Sequence, residues 1–122
     1  ALAHPGRYRS VSAFSPIVAP AQVPWGEKAF AAYLGPDRAA WLRHDATELL
    51  KTAGERLPLL VDQGEADEFL ATQLRPELLR EACARANHTL TLRLHPGYDH
   101  SYYFVASFIG EHIAWHARAM KA

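Results

Sequence analysis

The sequence lacks most features that would classify it at a glance. It has one cysteine, Cys83, among 122 residues, so no disulfide can form within the chain. That usage fits a reducing compartment, and a cytoplasmic location is expected. No charge sign is in excess, because thirteen Lys and Arg balance thirteen Asp and Glu. The balance removes the electrostatic footprint of a nucleic-acid binder. No apolar run approaches the roughly 18 residues of a membrane span, and no signal-peptide pattern opens the chain. Internal repeats and low-complexity tracts are absent. The glycines stand at 6, 26, 35, 54, 64, 97 and 110, and no serine is framed by two of them. What is present is an ordinary globular mixture, 49% apolar and 21% charged, long enough for one domain with a modest core.

The hydrophobic pattern predicts alternating strands and helices. Tyr8, Val11 and Phe14 mark a short strand ended by Pro16. Residues 18–26, with two prolines and a glycine, read as an ordered loop. Glu27 to Leu34 reads as a helix closed by Gly35-Pro36. Asp37 can cap a helix over Arg38 to Arg43, and Asp45 or Thr47 another that ends near Gly54. The continuous apolar run Leu57 to Asp62 suits a strand buried on both faces. After a loop, Pro76 opens a helix running to about Asn87, with Leu78, Leu79, Ala82, Cys83 and Ala86 on one face. Cys83 is therefore expected in the core. The alternation Leu90 to Leu94 gives a third strand, and Val105 to Met120 a final helix. The order predicts an α/β fold of about three parallel strands with flanking helices and right-handed crossovers.

In such a sheet the chemistry gathers at the C-terminal ends of the strands. Two loops there carry titratable groups, Asp62 to Asp67 after the second strand and Tyr98-Asp99-His100 after the third. An aspartate from the first loop could hydrogen-bond His100. One ring nitrogen would then be fixed and the other left as a general base. Asp67 and Asp62 both compete for that role. An acid followed by a histidine, each after a sheet strand, is the chain order of α/β-hydrolases, in which a nucleophilic serine comes first. Asp99 or Ser101 is expected to cap the final helix. Ser101 adjoins His100 too closely to serve as its nucleophile. His112 and His116 are four apart on a helix, a spacing that can bind metal, but no third ligand is evident. They are expected to face solvent.

Five strings carry a more specific signal. Asp62-Gln63-Gly64-Glu65-Ala66-Asp67-Glu68-Phe69-Leu70 and Pro96-Gly97-Tyr98-Asp99-His100-Ser101-Tyr102-Tyr103-Phe104 closely resemble the C-terminal motifs of S-formylglutathione hydrolases, the esterase D family. So do Arg7 to Ile17, Pro24 to Phe30 and Asp45 to Leu49, in the same order. The family usually has a cysteine before the Pro-Trp pair, where this chain has Val23. The resemblance implies an α/β-hydrolase that cleaves S-formylglutathione to glutathione and formate with Ser, Asp and His and without metal or other cofactor. It implies His100 as triad base and Asp67 as triad acid, and places Trp25 and Tyr98 where they could line the acyl or glutathione pocket. It also implies that the serine elbow and the oxyanion loop lie upstream of Ala1-Leu2-Ala3-His4-Pro5. The 122 residues are thus expected to form the C-terminal portion of one domain, with Ala1 not a native start. Their partners would be a small ester or thioester and the upstream portion of the same enzyme. A second copy of the chain, as a homodimer, could fill the same gap.

Overall fold

A computed structural model describes residues 1–122. The strands are β1 (Val11–Phe14), β2 (Leu59–Gly64) and β3 (Leu90–His95). The helices are α1 (Pro24–Leu34), α2 (Arg38–Trp41), α3 (Ala46–Leu49), α4 (Pro76–Arg85) and α5 (Tyr102–Lys121). The three strands form one parallel sheet in the order β1-β2-β3. This is the expected architecture.

The register explains which residues meet. Val11, Leu59 and Leu90 lie in one row, and Ala13, Val61 and Leu92 in another. Both rows face the apolar core, where Leu59 and Val61 pack with Val18, Ala19, Leu50, and with Leu79 and Cys83 of α4. Successive side chains of a strand point to opposite faces. The other face therefore carries Ser12, Phe14, Leu60, Asp62, Arg93 and His95, and α5 covers it. Every residue of β2 is buried, whereas β1 and β3 are only partly so. β2 is the fully sandwiched strand that its unbroken apolar run implied. Cys83 lies in the core as expected, and burial pushes its thiol pKa up.

Several boundaries moved. α1 starts at Pro24 rather than Glu27, because a proline in the first turn needs no N–H partner. α3 stops at Leu49, with Asp45 and not Thr47 as its cap; the Asp45 carboxylate accepts from the N–H groups of Thr47 and Glu48. α2 is one turn, continued by a 3-10 turn through His44. α5 begins three residues earlier than expected. The strand expected over residues 57–62 is shifted to 59–64, since Leu94 and His95 of β3 extend the ladder through Gln63 and Gly64.

That shift puts Asp62 inside the strand and under α5, where it organises a polar layer. Arg93 clamps it with two bonds of 2.6 Å, Nε to Oδ1 and Nη2 to Oδ2. His95 donates from Nε2 to Oδ1 at 3.0 Å, and His112 from Nε2 to Oδ2 at 2.7 Å. His112 also stacks on Phe14 at 3.9 Å between ring centroids, and His95 on Phe108 at 3.9 Å. His116 spans Ser10 and Ser12, with Nδ1 at 2.7 Å and Nε2 at 2.8 Å from their hydroxyls. His112 and His116 are consequently not a solvent-facing pair. Both are turned onto the sheet by the side of α5 that packs there.

Burial alone would raise the Asp62 pKa. The hydrogen bonds from Arg93, His95 and His112, with the Arg93 charge, outweigh it and hold the carboxyl at about 2, below its ordinary 3.8. A depressed acid stabilises the fold wherever it is ionised. This contribution, on the order of 2 kcal/mol, is full above about pH 4 and drains as pH falls toward 2. Asp62→Asn should cost on the order of 2 kcal/mol at pH 7, by removing the charge on which Arg93, His95 and His112 converge and leaving Arg93 only its 3.0 Å contact with Glu111. The deficit should narrow below pH 4, as the wild-type protein loses the same contribution. Urea unfolding of both proteins across pH 2–7 measures it.

Candidate functional site

At the C-terminal edge of the sheet, backbone bonds stitch the turn after β2 to the loop after β3. Glu65 N–H donates to His95 O at 2.9 Å and Ala66 N–H to Tyr98 O at 3.0 Å. The two loops approach so closely that a Cβ on Gly64 would lie 2.2 Å from the Tyr98 carbonyl oxygen. Only glycine fits there. Gly97, at φ +80°, supplies the left-handed residue that turns the second loop toward α5.

This stitching brings Asp67 and His100 together across the two loops. His100 Nδ1–H donates to Asp67 Oδ2 at 2.8 Å. The Asp67 side chain is completely buried, while that of His100 is 41% exposed. Nε2 of His100 makes no hydrogen bond within the chain. Asp67 is held from other sides as well. Phe69 N–H donates to Oδ1 at 2.9 Å, and Gln63 Nε2 donates to Oδ2 at 3.2 Å. Asp62, the competing acid, is committed to Arg93 and two other histidines on the face beneath α5. A hollow beside His100 is lined by Phe14, Ser15, Ser101, Tyr102 and Val105. Ser15 sits there in the left-handed region at φ 47°, its N–H donating to Asp62 O.

The other candidates fall in two places. Trp25, in the first turn of α1, is 41% exposed. Its ring lies 4.5 Å from that of Phe69, which meets the His100 ring edge-on at 5.5 Å. Trp25 is anchored by its backbone N–H to Gln73 Oε1 at 2.9 Å. Tyr98 lies among His95, Tyr103, Phe104 and Phe108, and it does not line the hollow beside His100. Ser101 occupies the N-cap position of α5, but neither it nor Asp99 makes the expected side-chain cap bond, so the helix starts uncapped. No group of three or more His, Cys, Asp or Glu is arranged to hold a metal ion. No helix is long and apolar enough to cross a membrane.

Sequence reasoning passed over Gln63, Phe69 and Ser15. Phe69 was marked by its place two residues after Asp67, where an aspartate accepts its own loop's N–H. Gln63 was marked by being a polar side chain at the end of an apolar run. Nothing local marked Ser15.

A parallel sheet flanked on both faces by helices, with an acid and a histidine meeting at its C-terminal edge, is an α/β-hydrolase arrangement. The comparisons agree. A family model described as "Esterase: Putative esterase" matches residues 1–115, and the chain belongs to that family. An S-formylglutathione hydrolase from Agrobacterium tumefaciens superposes with a TM-score of 0.92 at 50% sequence identity, over 98% of this chain. The present chain spans 43% of the length of that protein. A protein described as "a putative dipeptidyl aminopeptidase IV from Bacteroides ovatus" shares the fold at 17% identity, with a TM-score of 0.52 over 75% of this chain and 13% of its own.

The Gly64 approach gives a direct check. Gly64→Ala must push the two loops apart, and should lower stability by about 3 kcal/mol. It should also broaden or shift the amide resonances of Glu65 and Ala66. Calorimetry and two-dimensional amide NMR spectra report the two effects separately.

Proposed function

We propose that this chain provides the acid and base of a Ser-His-Asp hydrolase acting on small thioesters and esters, of the S-formylglutathione hydrolase kind. The observation that supports it most is the 2.8 Å bond from His100 Nδ1 to a fully buried Asp67 carboxylate, which leaves Nε2 open at the sheet edge. The half-identical hydrolase adds the substrate class.

In this reading the 122 residues are the C-terminal portion of one hydrolase domain, and the nucleophilic serine and the oxyanion donors come from residues upstream of Ala1. His100 Nε2 takes the proton of the serine hydroxyl as its oxygen attacks the acyl carbon. Asp67 holds the imidazole in the tautomer that makes this possible and stabilises the imidazolium that forms. Collapse of the tetrahedral adduct expels the thiolate of glutathione, or an alcohol, which takes the proton from imidazolium. Water then attacks the formyl- or acyl-serine, giving up a proton to Nε2, and formate or another small acid leaves as serine is restored. Trp25 and Phe69, next to His100, form one wall of the acyl site, whereas Tyr98 is packed in the aromatic cluster of His95, Tyr103, Phe104 and Phe108 and acts only through the loop that carries His100. No metal or other cofactor is called for. The reaction would detoxify formaldehyde adducts of glutathione in the cytoplasm, a reducing compartment compatible with one buried thiol.

The upstream portion also has a place to sit. β1 is an edge strand in this sheet. Beside it lies an apolar hollow lined by Leu2, Val11, Ala13, Ile17, Leu49 and Leu59. A second copy of the chain is the alternative occupant, giving a homodimer. A free edge and an apolar hollow together invite pairing.

Hydrolysis of p-nitrophenyl acetate tests the reading. The 122-residue chain alone should show no turnover. In the full-length enzyme His100→Ala should lower kcat by at least about 10³-fold, and Asp67→Asn by a comparable factor through the wrong tautomer. Turnover by the isolated chain that is lost in His100→Ala would mean that the nucleophile lies within these residues. No turnover by the full-length protein would favour a non-catalytic interaction module.

A further inference from the structure

Resting on the reading of Asp67 and His100 as acid and base, we propose that Gln63 is a positioning residue: its side-chain amide fixes the Asp67 carboxylate so that Oδ2 faces His100.

Gln63 lies on β2 in line with Leu59 and Val61, on the face that packs the apolar core, and it is fully buried. A glutamine there is costly unless its polar atoms are used. Both N–H groups of Nε2 are used, one on Gly64 O at 3.0 Å and one on Asp67 Oδ2 at 3.2 Å. Its Oε1 is buried with no partner. Leucine or methionine would fill the same space without that orphaned acceptor, so apolar packing does not account for glutamine. The amide orientation is also fixed. Turned over, it would set Oε1 against two acceptor oxygens.

What offsets the orphaned atom is a hydrogen bond to a charged acceptor, about twice as strong as a neutral one. Its placement gives it a role. Asp67 sits on a loop, and around it are three donors: Phe69 N–H on Oδ1, with His100 Nδ1–H and the Gln63 amide sharing Oδ2. Phe69 belongs to the same loop, and His100 is the group to be oriented. Gln63 alone ties the carboxylate to the sheet. Without it, Oδ2 keeps only the His100 bond, and the single Phe69 N–H on Oδ1 is left to resist rotation of the carboxylate about its Cβ–Cγ bond. A site's supporting shell works best when it stands on a rigid element.

The experiment uses the full-length enzyme and p-nitrophenyl acetate. Gln63→Leu is expected to lower kcat about 10- to 100-fold, by analogy with the loss seen when a hydrogen-bond partner behind a metal-binding histidine or carboxylate is removed, with KM within about threefold. Gln63→Met fills the same volume with a flexible chain and gives the same reading if the leucine protein does not fold. Gln63→Glu supplies the distinctive signature. The carboxyl it introduces can donate to Oδ2 when protonated, whereas its ionised form repels that oxygen. The kcat of this variant should stay near wild type at the acid end and fall as the new carboxyl ionises. The profile then gains a falling limb that neither wild type nor Gln63→Leu has. In an Asp67→Asn background, Gln63→Leu should cause little further loss, since the two residues act as one unit.

A wild-type kcat and pH profile in Gln63→Leu, or an undiminished loss in the Asp67→Asn background, would overturn the inference and leave Gln63 a turn-sealing residue. His100→Ala separates the two levels. If it is inactive while Gln63→Leu is normal, only this inference fails. If it retains activity, the assignment of the site fails and takes this inference with it.

Discussion

The buried carboxylate of Asp62 is the constraint on which the layers depend. It is completely enclosed, and it survives there because four hydrogen bonds from three residues converge on its two oxygens. Two of the three, Arg93 and His95, come from β3, and His112 comes from the middle of α5. One charge therefore ties the central strand to its neighbour and to the helix above. A buried ion pair of this kind is weak evidence for added stability over an apolar core, since desolvation offsets much of the attraction. It does, however, penalise every other register. A slip of one residue along β2 would turn the carboxylate into the apolar core.

The same strand serves the opposite face through its next residue. Asp62 looks toward α5, Gln63 toward the core side, and Gly64 ends the strand under the Tyr98 carbonyl. Three consecutive residues thus perform three separate tasks: registering the layers, reaching Asp67, and admitting the neighbouring loop. The compactness of the Asp-Gln-Gly string follows from the two-residue period of a strand, which lets adjacent side chains address different surroundings.

Much of this was readable beforehand. The unbroken apolar run gave β2 as a doubly buried strand, and alternation along Leu90 to Leu94 gave β3. Chain order put Asp67 and His100 at one sheet edge, where their bond is found. Residues whose meaning depends on a distant partner were not readable. Asp62 looked like a strand-end acid because its salt bridge is made by Arg93, thirty-one positions on. His112 and His116 looked like an exposed helical pair because nothing in α5 itself says which side the sheet will cover. Helix starts were missed where proline or an uncapped serine replaced the usual cap. Gln63 was overlooked for a related reason, since its polarity makes sense only once the loop has folded back over it.

The stitching of the two loops has a wider implication. The bonds that set the distance between Asp67 and His100 are largely main chain to main chain, from residues 65 and 66 to residues 95 and 98. Apart from the glycine required at 64, these main-chain bonds are indifferent to side-chain identity. The side chains around the pair, Trp25 and Phe69 on one flank and Ser15 and Tyr102 on the other, can therefore change without altering the spacing of Asp67 and His100. A scaffold wired in this way separates the spacing of the Asp67–His100 pair from the make-up of the surface around it. Selection on one need not disturb the other.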